Sequence, residues 1–281
     1  MQRVMNRTPL ILLILLASSP AIACKGFLRS FEIMDEEGQT IGTGTVRDFI
    51  PAKNTRPGRG FVLPTTAGEN VIDRFHAREL CKAGLFSQLL VSWPASQYDL
   101  LDPRMHDDFF RLVRLSMQTL LADDESPVAF IGTSLGGITG ASLIAIEPRI
   151  KVAALITAGT GVADIISHSD HPRARRQTRG SMERHGIKTI EEYERFLEGR
   201  ITIDSSDLLP QARRVLPDTL HIVTTQDNTV LTRTQEDLVK LFPNPKVIKI
   251  KANHFIGIVS AGTKYRSAVR DFVMARMPTR Y

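Results

Sequence analysis

Apolar residues recur along this chain in short blocks that switch between two periods. Over 29–34 and 40–50 apolar and polar positions alternate, and the polar, turn-rich Asp35-Glu36-Glu37-Gly38 lies between them. That pattern predicts two strands joined by a tight turn. The segment 51–60 holds two Pro and two Gly and reads as a loop. A short buried strand is predicted over 60–64, followed by the small-residue turn Thr65-Thr66-Ala67-Gly68 and a helical pattern over 71–83. The apolar run 89–93 predicts the next strand. From 103 to 121 the residues Phe109, Phe110, Val113, Met117, Leu120 and Leu121 fall at helical spacing.

The same rhythm continues downstream. Strands are predicted over 127–132, 152–158, 220–224 and 246–250, and helices over 135–146, 236–241 and 263–277. Strands alternating with helices imply βαβ units, so the expected fold class is α/β. The sheet should be mostly parallel and doubly wound, with helices on both faces. The opening pair of strands would add an antiparallel edge. Between 159 and 217 the rhythm stops: no clear strand appears, and the strongest helical pattern is 187–197, with Ile190, Tyr193 and Leu197 on one face. An insertion of that length between core strands reads as a lid, spanning about 160–216.

The first 23 residues form a different kind of segment. Arg3 and Arg7 precede the apolar run Leu10 to Ala17, Ser18-Ser19-Pro20 breaks it, and Ala21-Ile22-Ala23 is a small-x-small cleavage site. This is the layout of a secretory signal, and the run is short for a membrane span of about 20 residues. The mature domain would then be 24–281, working outside the cytoplasm in the periplasm or cell envelope, or secreted. Ala21-Ile22-Ala23-Cys24 also resembles the bacterial lipobox, which implies a lipid on Cys24 and membrane association through it. Plain cleavage with a free Cys24, or a disulfide to Cys81, the one other cysteine, are the two further readings.

Composition narrows the classes only a little. Of 281 residues, 42% are hydrophobic and 23% charged, which excludes a disordered chain. The net charge of +6 and the basic run Arg173, Arg175, Arg176, Arg179 read first as a solvated surface. Contact with anionic head groups or an acidic substrate is the sharper reading. No aromatic residue interleaves that run, so no nucleic acid partner is expected.

The chemistry is carried by Gly132-Thr133-Ser134-Leu135-Gly136, a G-x-S-x-G sequence between a predicted strand and a predicted helix. So tight a turn strains the serine and leaves no room for side chains two residues either side, which the glycines satisfy. A serine hydroxyl needs a base, nearly always His, and that His needs a carboxylate to hold its tautomer. His254 lies in the predicted loop after the last strand, where active sites form in such sheets. His76, His106 and His221 lie on predicted helices or a strand, and His168, His171 and His185 fall in the insertion. For the acid, Asp227 follows the predicted strand 220–224, and Asp164 in the preceding loop is its rival.

With these residues the chain resembles the α/β-hydrolase family over nearly all of its mature length. Ser134, Asp227 and His254 stand in that family's order, and 217–223 is similar to its approach to the acid. The resemblance implies a lid at the insertion and an oxyanion hole made by two backbone N–H groups. Leu135 supplies one; Thr66 is the expected second donor, with Thr65 its neighbouring alternative. Here Pro64-Thr65-Thr66 stands where the family often has His-Gly. The implied activity is hydrolysis of a carboxylic ester or related acyl bond of a small-molecule acyl substrate, through an acyl-enzyme at Ser134. No cofactor and no metal is implied; His168, Asp170 and His171 form only a weak metal pattern. A catalytically silent envelope binding protein of this fold, or a peptidase or acyltransferase with the same triad, are the alternative readings. Ile187, Ile190, Tyr193 and Leu197 in the lid hint at an apolar acyl group.

Overall fold

The computed structural model describes residues 24–53, 57–65, 69–93, 101–122 and 124–278. The expected signal segment 1–23 and Thr66 lie outside them. Eight strands make one sheet: β1 (Phe27–Met34), β2 (Thr40–Phe49), β3 (Arg59–Leu63), β4 (Phe86–Ser92), β5 (Val128–Thr133), β6 (Ile150–Ile156), β7 (Asp218–Thr224) and β8 (Lys246–Ile250). Their order across the sheet is β1-β2-β4-β3-β5-β6-β7-β8. β1 with β2 and β2 with β4 pair antiparallel, and every other pair is parallel. The hairpin turn is closed by Asp35, whose Oδ1 accepts the N–H groups of Glu37 and Gln39, while Gly38 takes a positive φ of 78°.

The central strands read as unbroken apolar runs because both of their faces are covered. Phe61 and Leu63 face one layer with Phe130, and Val62 faces the other with Ala129 and Ile131. On the first face pack α2 (Met105–Leu120), through Phe109, Phe110, Val113 and Met117, together with α3 (Leu135–Ile146). On the second lie α1 (Val71–Lys82) and α10 (Arg266–Met274), through Leu80, Val269 and Phe272. Phe61, Val62 and Leu63 are fully buried, each contributing about 1.5–3 kcal/mol relative to exposure, so a five-residue strand suffices at the sheet centre.

The insertion between β6 and β7 contains four helices: α4 (Val162–His168), α5 (Pro172–His185), α6 (Ile190–Glu198) and α7 (Ser205–Gln211). Only α6 showed in the apolar pattern. It starts at a capping box, Thr189 with Glu192, and its Tyr193 and Leu197 bury against Ala163 of α4. That stripe therefore holds the insertion together, which corrects its reading as an acyl-binding surface for those two residues. Ile187 and Ile190 instead line a surface cleft of about 510 Å³ with Met182, Arg175 and Arg179. α5 buries just Thr178 and Ser181, so it has no apolar period to read. Two acids hold the insertion, one joining its two ends and one fastening it to the body. Asp204 caps α7 and accepts from the Thr160 hydroxyl and the Gly161 and Val162 amides, and Asp107 of α2 accepts from Thr202 and Ile203.

The C-terminal region also differs from expectation. The helix expected over 263–277 is found as α10, Arg266–Met274, and a further helix, α9 (His254–Gly262), precedes it, the two separated at Thr263–Tyr265. α9 carries Gly257, Gly262 and several β-branched residues, all weak helix formers, which hid it. α8 (Thr232–Lys240) begins four residues before its predicted start.

Cys24 and Cys81 form a disulfide with Cα atoms 5.7 Å apart, and both side chains are buried. Lipid attachment at Cys24 would require the same sulfur, so the disulfide and the lipid exclude each other. Among the described residues no helix is long and apolar enough to cross a membrane.

Candidate active site

The loops after β5, β7 and β8 open on the same carboxyl edge of the sheet. At the end of β5 the chain turns so sharply into α3 that Ser134 takes φ 52° and ψ −120°. A non-glycine residue there stores about 1–3 kcal/mol of strain, and the surroundings hold it. The Ser134 N–H donates to the Ile156 carbonyl of β6 at 2.8 Å, and its own carbonyl accepts from Gly137 and Ile138. A Cβ on Gly136 would run into the carbonyl oxygens of Leu63 and Pro64, and one on Gly132 would meet that of Gly136. Those two positions therefore admit only glycine.

His254 stands at the first residue of α9 rather than in a loop. Asn253 caps that helix, its Oδ1 accepting the Ile256 N–H. Gly257, one turn on, lets α9 close onto Thr224 at the end of β7. The result brings His254 Nε2 to 2.8 Å from Ser134 Oγ and His254 Nδ1 to 2.7 Å from Asp227 Oδ2. With Nδ1–H donating to the carboxylate, Nε2 is left as the acceptor of the serine proton.

Asp227 is fully enclosed and satisfied. Its Oδ1 accepts the backbone N–H groups of Thr229 and Val230, an Asx-type turn. Its Oδ2 accepts from His254, from the Thr224 hydroxyl at 2.7 Å and from Gln235 Nε2 at 2.9 Å. Burial by itself would raise the Asp227 pKa, but the hydrogen bonds and charge of His254, with Thr224 and Thr229, outweigh it and hold the carboxyl below its ordinary value. It stays an acceptor at neutral pH. The sequence places Asp227 just past the strand 220–224 but not its partners Thr224 and Gln235; a buried Gln on α8 gives no pattern. Asp164, the rival acid, lies on α4 and binds Arg233 and His168 instead of His254. Thr157, just after β6, is a second strained residue at φ 47°, beside the start of α9.

Leu135 is the first residue of α3, and first-turn N–H groups have no acceptor within their own helix. The other side of the site is the turn after β3. The Thr65 N–H points to Asp73 Oδ2 at 3.3 Å, which directs it away from the role of oxyanion donor. Thr66, the preferred donor, lies outside the described residues. Of the weak metal pattern, His168 meets Asp164, Asp170 accepts from the Thr229 hydroxyl and His171 caps α5, so the three do not converge. Asp164, His168 and Glu194 do approach one another, but Arg233 occupies both oxygens of Asp164.

No protein-family model and no curated protein sequence matches this chain. Solved structures do. The esterase domain of a Rhodothermus marinus protein is 15% identical with a TM-score of 0.56, covering 88% of this chain and 99% of that one. Est1E from Butyrivibrio proteoclasticus is 14% identical with a TM-score of 0.61, covering 88% and 98%. A puromycin-hydrolyzing peptidase of Mycobacterium tuberculosis is 13% identical with a TM-score of 0.67, covering 93% of this chain and 41% of that one. At such identities the likeness establishes the fold, an eight-stranded, mostly parallel α/β-hydrolase sheet.

Proposed function

We propose that this chain is a serine hydrolase that cleaves a carboxylic ester or related acyl bond of a small molecule through an acyl-enzyme at Ser134. The observation that carries this reading is the continuous hydrogen-bonded line Ser134 Oγ–His254 Nε2, His254 Nδ1–Asp227 Oδ2, set on a strained strand-to-helix turn. His254 Nε2 takes the hydroxyl proton as Ser134 Oγ attacks the substrate carbonyl carbon. Asp227 stabilises the imidazolium that forms. The Leu135 N–H, with Thr66 as the second donor, holds the oxyanion of the tetrahedral intermediate. Its collapse breaks the bond to the leaving alkoxide, which receives the proton from His254. Water, deprotonated by His254 in turn, then attacks the acyl-serine and releases the acid. The chemistry needs no cofactor. The esterases among the structural neighbours support an ester as the acyl donor, and the neighbouring peptidase keeps an amide in the substrate panel.

A fluorophosphonate probe should label the purified protein, and Ser134→Ala should abolish labelling and lower kcat on a p-nitrophenyl ester by about 10⁶. Labelling that persists in Ser134→Ala sinks the assignment. For the working compartment we infer export: the signal-like 1–23 and the Cys24–Cys81 disulfide both support a place outside the reducing cytoplasm. The inserted helices α4 to α7 are read as the lid over the acyl site.

A further inference from the structure

Gln235, in α8, is fully buried, and an amide is costly there unless its polar atoms find partners. Its Oε1 accepts the Thr224 N–H at 3.0 Å. Its Nε2 gives one hydrogen to the Val230 carbonyl and directs the other to Asp227 Oδ2 at 2.9 Å, shared with Thr224 Oγ1 at 3.1 Å. Thr224, the last residue of β7, is fully buried too, and its hydroxyl donates its one hydrogen to the same Asp227 Oδ2 at 2.7 Å. The carboxylate oxygen that faces His254 Nδ1 therefore receives two further side-chain donors. An oxygen held by His254 alone would follow the ring; this one is fixed by a core strand and a core helix.

During acyl transfer the His254 ring gains the serine proton on Nε2 and passes it to the leaving group, while the Nδ1 proton has to stay on the ring. Donors on Oδ2 draw off part of its charge, so the carboxylate accepts a hydrogen bond from Nδ1 without taking that proton. They also fix the oxygen, and through it the ring that faces Ser134 Oγ. Thr224 has a second, separable contact. Its methyl group stands where α9 comes closest, and a Cβ on Gly257 would run into it. One residue thus carries a packing contact on its methyl and a polar contact on its hydroxyl.

We propose that Thr224 and Gln235 are positioning residues: together they hold Asp227 Oδ2 towards His254 Nδ1, so that the ring stays aligned on Ser134 while its proton load changes. This rests on the acyl-transfer reading of Ser134. Both side chains are buried and touch no substrate; each acts through Asp227. A purely structural role would lower stability and leave the turnover and pH profile of folded molecules unchanged.

The test compares wild type, Ser134→Ala, Thr224→Val, Thr224→Ser and Gln235→Met for kcat and KM on p-nitrophenyl butyrate across the pH range, fluorophosphonate labelling rate and melting temperature. Thr224→Val keeps the methyl that faces α9 and removes only the donor; Thr224→Ser does the reverse. Displacing a catalytic group by about 1 Å costs about 10² in rate, so Thr224→Val and Gln235→Met should each lower kcat about tenfold. KM should stay within about twofold and labelling should slow in parallel with kcat. A carboxylate with fewer donors is the stronger base and holds the imidazolium more firmly. The acidic limb of the kcat/KM profile should therefore move to higher pH, by about half a unit. Thr224→Ser, which restores the hydroxyl, should be at least about fivefold faster than Thr224→Val and return the limb. Folded Thr224→Val with kcat within about twofold of wild type, or with an unmoved limb, overturns the proposal, as does a Thr224→Ser no faster than Thr224→Val. If Gln235→Met does not fold, the Thr224 pair decides alone; Thr224→Val leaves Gln235 its bonds to Asp227 and Val230. A wild type that is not labelled removes the acyl-transfer reading and this inference with it, whereas a labelled wild type with a fully active Thr224→Val removes this inference alone.

Discussion

Replacing Asp227 by Asn removes one charge and changes one atom, and the structure dictates which way the new amide faces. The Oδ1 side meets two backbone N–H groups, from Thr229 and Val230, which cannot turn away. Leaving them unpaired would cost about 1–3 kcal/mol each. The Oδ2 side meets partners that can adjust. The Thr224 hydroxyl has Gln235 Oε1 as another acceptor, Gln235 Nε2 also donates to the Val230 carbonyl, and His254 can change tautomer. The Asn oxygen therefore keeps the backbone pair, and its NH₂ faces His254 Nδ1. That nitrogen must then accept, which puts the ring proton on Nε2, facing Ser134 Oγ. A base that already carries its proton cannot take the serine's. The expected loss is about 10⁴ in kcat, or about 5 kcal/mol of barrier, with KM nearly unchanged. The assay is steady-state hydrolysis of p-nitrophenyl butyrate by wild type and Asp227→Asn, with circular dichroism confirming equal folding. A folded Asp227→Asn that retains more than about a tenth of wild-type kcat would refute the orientation argument and the role of Asp227 with it.

Two further outcomes concern stability. Burial depresses the pKa of His221 in β7 to about 4, and of His76 in α1, where burial again leads, to about 4. The unfolded chain takes up those protons near pH 6.5, so each neutral histidine's contribution is complete above about 6.5 and is lost as pH falls towards 4. The loss approaches about 3 kcal/mol per group. His221→Leu should therefore flatten, by about one such increment, the dependence of urea-unfolding free energy on pH between about 7 and 4.5. An unaltered slope would contradict the burial account. The disulfide joins residues 57 apart in sequence, which restricts the unfolded chain by about 4 kcal/mol. Cys81→Ala, or a reductant, should lower the urea midpoint accordingly, and the intact protein should lack two hydrogens by mass. A reductant-insensitive midpoint, or a lipid adduct on Cys24, would overturn that assignment.

Much of the candidate site is legible in the sequence, because it is written in local chemistry. Gly132, Ser134 and Gly136 are dictated by a turn whose geometry admits nothing larger, so three residues announce it. Asp227 and His254 follow apolar runs, and in a parallel sheet such ends share one edge. What escaped was of another kind. α5 is polar along its length, and α9 is built from weak helix formers around Gly257, so neither presents a stripe at helical spacing. His254 consequently opens a helix capped by Asn253 rather than lying in a loop. The lipobox-like Ala21-Ile22-Ala23-Cys24 favoured a lipid, while the disulfide needed Cys81 on α1 to face the start of the chain, which no local pattern encodes.

By itself, then, the chain determined the alternation of its core strands with the helices that carry an apolar stripe, and the tight turn at Ser134, since each depends on residues close in sequence. The tertiary structure alone decided between Asp227 and Asp164: both follow strands, and only packing shows that one meets His254 while the other meets Arg233. It alone brought Thr224 and Gln235 around Asp227. The contact of His254 with Ser134 spans 120 residues and that with Asp227 spans 27, and the burial that strengthens them exists only once the sheet has closed.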